Sequence, residues 1–234
     1  MQSTLRQFQE TQSQEAFALQ NPKLLKVSLE AVTIQAKAGG MVAYQGQVAF
    51  EHAGSGGMGR FMKKAMSGEG LKLMKMEGTG EVFLAERAEE IHLLKLENDS
   101  ITCNGSNVLA FDAGIDWDIQ RVQGASGMLS GGLFNMRLDG SGWVALISDG
   151  PPMLLDTGSA PTFADPQAAI AWPSSVSTSI KTDIKLKTFI GRGSGESIQI
   201  AFQGEGWVLV QPSEGRVDAV QGSGGGGLLG NLGG

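Results

Sequence analysis

Leu154-Leu155-Asp156-Thr157-Gly158-Ser159 spells the active-site sequence of aspartic peptidases, and an apolar-apolar-glycine run follows at Phe189-Ile190-Gly191. Such enzymes need two aspartates in contact, because like charges at that separation cannot both ionise and one carboxyl is thereby held as an acid. No second Asp-Thr-Gly or Asp-Ser-Gly occurs in the chain, and a comparable strand end upstream holds Cys103-Asn104-Gly105. Asp156 is therefore expected to close a turn.

Gly54-Ser55-Gly56-Gly57-Met58-Gly59 matches the dinucleotide fingerprint and follows a strand-like Val48-Ala49-Phe50. The fingerprint also requires a full helix, a second parallel strand and an acidic residue at its end, and no alternation of strands with helices follows. A connecting loop is the better reading. His52 and His92 are the only histidines, without a second histidine or a cysteine pair at ligand spacing, so no metal site is expected. Cys103 ends a strand-like run before an Asn-Gly turn and is expected to pack rather than react. Asp112, Asp116 and Asp118 lack the spacing and terminal glutamate of a calcium loop and read as loop carboxylates. No catalytic residue and no cofactor is expected.

The elements that hold these residues come from a repeat. Gly78-Thr79-Gly80-Glu81-Val82-Phe83-Leu84 recurs as Gly140-Ser141-Gly142-Trp143-Val144-Ala145-Leu146 and as Gly204-Glu205-Gly206-Trp207-Val208-Leu209-Val210. Two and four positions before each first glycine stand Met76 and Met74, Leu138 and Met136, Phe202 and Ile200. Apolar residues at alternate positions on both sides of Gly-x-Gly describe a hairpin or a sharply bent strand with one face buried. Val27 to Glu51 carries a related half unit, and further strand ends fall at Thr102–Gly105 and Leu155–Gly158. The fold expected is all-β: repeated hairpins with approximate internal symmetry, folded as a sandwich or prism.

Trp143 and Trp207 share one repeat position, where the first unit has Glu81. If Val144 and Val208 face the core, strand alternation turns the tryptophans toward another sheet, a groove or a partner subunit, and subunit contact is the expected role. One short helix is expected from Met58 to Met66. Met58, Phe61, Met62, Ala65 and Met66 form an apolar stripe, with Arg60, Lys63 and Lys64 opposite. Glycine clusters confine it to little more than two turns, so it must pack on something. A structural plug with solvated lysines is the first reading of this helix, and Arg60, Phe61, Met62, Lys63 and Lys64 are the candidate interaction residues if it instead meets a protein partner or an anionic membrane surface.

Composition bounds the rest. With 18 basic residues against 24 acidic and a net charge of −6, the chain has no general attraction for phosphate backbones, and no nucleic-acid partner is expected. Residues 1–20 hold six glutamines and no apolar run of signal-peptide length, and no stretch approaches a membrane span. A single cysteine fits a reducing compartment, so the expected location is cytoplasmic or peripheral at a membrane. Residues 1–221 read as a single all-β domain and 222–234 as a flexible glycine-rich tail.

With the repeat and the basic segment in view, the chain resembles the family named for altered inheritance of mitochondria, number twenty-four. The matching stretches are Gly56 to Glu81, Ser130-Gly131-Gly132-Leu133-Phe134 through Leu146, Leu154 to Ala164, and Gly191-Arg192-Gly193-Ser194-Gly195-Glu196 through Pro212. The resemblance implies a fold similar to the tryptophan RNA-binding attenuator protein, a pseudo-symmetric double-stranded β-helix, commonly assembled as homotrimers. It implies no catalytic residues, and a three-fold assembly would not bring two Asp156 loops together across a two-fold axis. The nearest functional analogy is scaffolding. A non-enzymatic oligomeric scaffold is the first expectation, a small-molecule binding module using a cleft beside the tryptophans the second, and an aspartic peptidase the last.

Overall fold

The computed structural model describes residues 4–30, 32–52, 72–121, 134–182 and 198–213. The expected helix at 58–66, with Arg60, Phe61, Met62, Lys63 and Lys64, lies outside the described residues, as does the tail 222–234. Among the described residues the regular structure is β, apart from two short 3-10 turns at Thr4–Phe8 and Gly105–Asn107.

An added strand β1 (Phe17–Asn21) precedes three units of the same plan. The first comprises β2 (Leu24–Ser28), β3 (Ile34–Lys37), β4 (Met41–His52) and β5 (Leu73–Leu84). The second comprises β6 (Glu90–Asn104), β7 (Val108–Asp112), β8 (Asp116–Arg121) and β9 (Phe134–Ser148). The third comprises β10 (Met153–Asp156), β11 (Thr162–Ala164), β12 (Ala169–Pro173), β13 (Ser177–Thr182), β14 (Ile198–Gln203) and β15 (Trp207–Val210). In each unit the last segment is central. An opening segment (β2–β3, β6, β10–β11) pairs antiparallel along one side of it, and a middle segment (β4, β7–β8, β12–β13) along the other.

The Gly-x-Gly pairs are the corners of these central segments. Their first glycines, Gly78, Gly140 and Gly204, have φ of 132°, 128° and 114°, a region closed to side-chain-bearing residues. At Gly78 the partner strand also comes so close that a Cβ would collide with the Gln47 carbonyl oxygen. The bend leaves β5 and β9 continuous, whereas in the third unit it parts the chain into β14 and β15. β15 belongs to a twelve-stranded sheet, and β14 to a three-stranded sheet of order β11-β14-β13.

The alternation read from the sequence points where it should. Met76, Leu138 and Phe202 before the corners, and Val82, Val144 and Val208 after them, are all buried. One correction concerns the unit boundaries. Val27 to Glu51 is no half unit but falls in the opening and middle strands of the first unit, and the strands that follow the first two Gly-x-Gly corners open the second and third units. A central strand that pairs on both sides needs two partners, and in this chain both precede it.

Candidate functional site

Successive units are joined by one kind of seam. The end of an opening segment pairs antiparallel with the start of the next unit's middle segment: β3 with β7, and β6 with β12. At the first seam Ala36 stands opposite Ala110 and Gln35 opposite Phe111. At the second, Cys103 stands opposite Ala171 and Thr102 opposite Trp172. The two seams have the same register, because Ile34 and Ile101 each pair with the residue two before the corner glycine, Met76 and Leu138.

The middle segments repeat as closely. Each starts with a one-residue bulge against its central strand, between Met41 and Ala43, Val108 and Ala110, Ala169 and Ala171. Val42, Leu109 and Ile170 are the extra residues, alanine follows in all three, and an aromatic follows the alanine: Tyr44, Phe111, Trp172. Leu109, Ile170, Phe111 and Trp172 are buried, at most 3% exposed. Val42 is 58% exposed and Tyr44 50%, and among the described residues no opening segment pairs with the start of β4 as β3 and β6 pair with β7 and β12. Tyr44 meets Phe50 edge to face at 5.2 Å, as buried Phe111 meets Trp117.

The other end of the series is bare as well. Thr162 pairs with Phe202, two before Gly204, so Thr162, Phe163 and Ala164 of β11 occupy the positions of Ile34 to Ala36 and Ile101 to Cys103. Among the described residues β11 pairs only with β14, β10 only with β15 and β4 only with β5. Phe163 is 40% exposed beneath the Lys181 ammonium, 4.4 Å from its ring centre, and Met153 and Leu154 on β10 are exposed too. A depression of about 420 Å³ opens beside Phe163, lined also by Thr157, Pro161, Lys181 and Phe202; neither expected tryptophan lines it.

The tryptophans sit on the seams' other face. Trp143 stacks on Phe17 of β1, with ring centres 6.3 Å apart and planes 18° apart, and the Lys95 ammonium lies 5.4 Å from its ring. It is thus partly covered within its own chain. Trp207, opposite Asp156, is partly buried against the second unit's core. At the matching position of the first unit, Glu81 pairs with Lys26 at 2.7 Å, and Lys26 also binds Glu10. Burial disfavours the Lys26 cation, but hydrogen bonds to Glu10 and Glu81 outweigh it and raise the pKa above the usual 10.5. A hydrogen bond with Glu81 and the ion pair with Lys26 hold Glu10 below the usual 4.5. Sequence reasoning missed this group, because its members come from the N-terminal segment, β2 and β5.

The chemistry-bearing residues are placed as follows. Asp156 ends β10, and its Oδ1 accepts a hydrogen bond from the Gly158 amide at 2.9 Å. Cys103 is fully buried on β6, and burial pushes its thiol well above the usual range. His92 Nε2 lies 2.7 Å from Ser148 Oγ, which donates to the Gly150 carbonyl, so the imidazole is the donor in that pair. Ser148 is completely buried, and burial lowers the His92 pKa against a smaller opposing effect of Glu90. Asp112 accepts from the Gly114 amide at 3.0 Å. Among the described residues no group of three or more His, Cys, Asp or Glu side chains is arranged to hold a metal, and no helix is long and apolar enough to cross a membrane.

A family model described as mitochondrial biogenesis AIM24 matches residues 17–213. The crystal structure of protein SPYM3_0169 from Streptococcus pyogenes is similar to this chain, with a TM-score of 0.65 and 21% sequence identity over 83% of this chain and 91% of that one. At that identity the likeness concerns the fold. No curated protein is significantly similar to the chain.

Proposed function

The chain belongs to the AIM24 family, and on that premise we propose that it is a non-enzymatic homo-oligomeric scaffold, a homotrimer, acting in the cytoplasm or at a membrane surface. The observation that carries this reading is the contrast between repeats: side chains buried in the second and third units are exposed in the first, at Val42 and Tyr44. Apolar side chains left bare at unpaired strand edges mark an association surface. Cys103, singled out for its chemistry, is fully buried, and Asp156 closes a turn, which suits a packing role for the one and a turn role for the other.

Within this reading Arg60, Phe61, Met62, Lys63 and Lys64, which lie outside the described residues, make the contact to a protein partner or an anionic membrane surface. An oligomer presents several copies of such a segment at once, which multiplies a weak contact. Sedimentation at micromolar concentration tests the proposal. It requires a species larger than the 24.5 kDa chain, and a monomer over that range contradicts it.

A further inference from the structure

Resting on the oligomeric reading above, we infer that the bare edge of β11 in one copy pairs antiparallel with the bare start of β4 in a second copy. The register is that of the two seams inside the chain: Ala164 opposite Ala43, Phe163 opposite Tyr44 and Thr162 opposite Gln45.

The template for this contact exists twice. In both internal seams a small residue faces alanine, Ala36 on Ala110 and Cys103 on Ala171, and the next pair sets an aromatic of the middle segment against the opening segment, Gln35 on Phe111 and Thr102 on Trp172. Among the described residues, three units in a row use two seams and leave one opening segment and one middle segment unused. Those leftovers are β11 and the start of β4, the two places where Phe163, Val42 and Tyr44 are exposed. The small residues match, Ala164 and Ala43, so the strands meet without overpacking. The bulge that turns Leu109 and Ile170 into their seams is already formed at Val42. A strand edge with free N–H and C=O groups is satisfied by another strand, and apolar cross-strand neighbours add to the pairing. The contact is heterologous: each copy offers a different edge to each neighbour, so copies join head to tail and close into a ring when the rotation permits.

Single-cysteine variants test the register in full-length protein. Cys103→Ala removes the native thiol, and Ala43→Cys and Ala164→Cys are made separately on that background. The two are mixed, allowed to exchange and treated with a short bifunctional thiol reagent. The mixture is expected to give a two-chain product joined through positions 43 and 164, absent from either variant alone and from a mixture of Ala43→Cys with Glu97→Cys. A doubly substituted chain that links only to itself, at monomer mass, would mean that the two edges close within one molecule and would overturn the inference. Loss of the two-chain product while the protein still sediments as an oligomer would also overturn it, leaving the scaffold reading in place. A wild-type monomer would remove both.

Discussion

Asp156 and Lys26 show how differently single residues announce their roles. The Asp156 carboxylate accepts the Gly158 amide hydrogen two residues on, and the Ser159 hydroxyl donates to the Asp156 carbonyl oxygen at 3.1 Å. An asparagine oxygen can accept the same bond, so Asp156→Asn should shift stability by no more than about 0.5 kcal/mol. Acid-dependent proteolysis by the purified protein, abolished by that substitution, would contradict the turn assignment. This role was legible because an Asx turn is local. Lys26 was not, because its partners Glu10 and Glu81 reach it only after folding. Lys26→Met strands two carboxylates around a buried stem and is expected to cost about 2–4 kcal/mol by denaturant titration. The pH dependence follows from the shifts. Glu10, lowered from 4.5, contributes fully above that value and loses its contribution as pH falls through its folded pKa. Lys26, raised from 10.5, contributes fully below that value and loses it as pH rises through its folded pKa. His92, lowered from 6.5 by burial, favours the fold fully above 6.5 and progressively less below it. Melting temperatures measured between pH 7.5 and 5.5 should therefore fall, and His92→Gln should flatten that slope.

The bent central strand is the element on which the molecule is built. Gly78 combines a φ of 132° with a collision at the Gln47 carbonyl, so Gly78→Ala is expected to destabilise by about 3 kcal/mol, read as a lowered denaturation midpoint. A neutral outcome would mean that the corner relaxes freely. The corners were legible because Gly-x-Gly with apolar residues in phase on both sides is a local signal, and Met76, Leu138 and Phe202 fell in the core as the phase requires. The equivalence of β4 with β7–β8 and β12–β13 was hidden. The second is interrupted by the Asp112–Asp116 turn and the third by Ser174 to Val176, and a bulge breaks the two-residue period at the start of all three. A slip of one residue at a bulge moves every later side chain to the other face, so period counting loses the match. For the first hairpin connection, Lys63→Glu with Lys64→Glu should abolish co-flotation with anionic vesicles at low salt and leave the melting temperature unchanged. Absence of wild-type flotation would leave a protein partner as the target of that segment.

At the scale of the whole molecule, three units related by a shared seam form a series with two unlike ends. Repeat proteins usually finish such a series with a polar cap, since each unit buries its face only against a neighbour. Here β1 and the Lys26 ion group finish one face of the first unit, while Val42, Tyr44 and Phe163 stay uncovered. Trp143, expected at a subunit contact, stacks on Phe17 of its own chain and is partly buried, whereas Tyr44 and Phe163 are more exposed. Exposure of that kind is not written in residue type, since Tyr44 and Phe111 hold the same repeat position, and among the described residues Phe111 has Gln35 of β3 opposite it and Tyr44 has no such strand. The head-to-tail account is tested most directly by sedimentation velocity of two edge variants, Tyr44→Lys and Phe163→Lys, alone and mixed. Each retains one intact edge, so each alone should sediment as a monomer, and an equimolar mixture should yield a two-chain species and nothing larger. A mixture that remains monomeric while the wild type is oligomeric, or single variants that assemble as the wild type does, would contradict it.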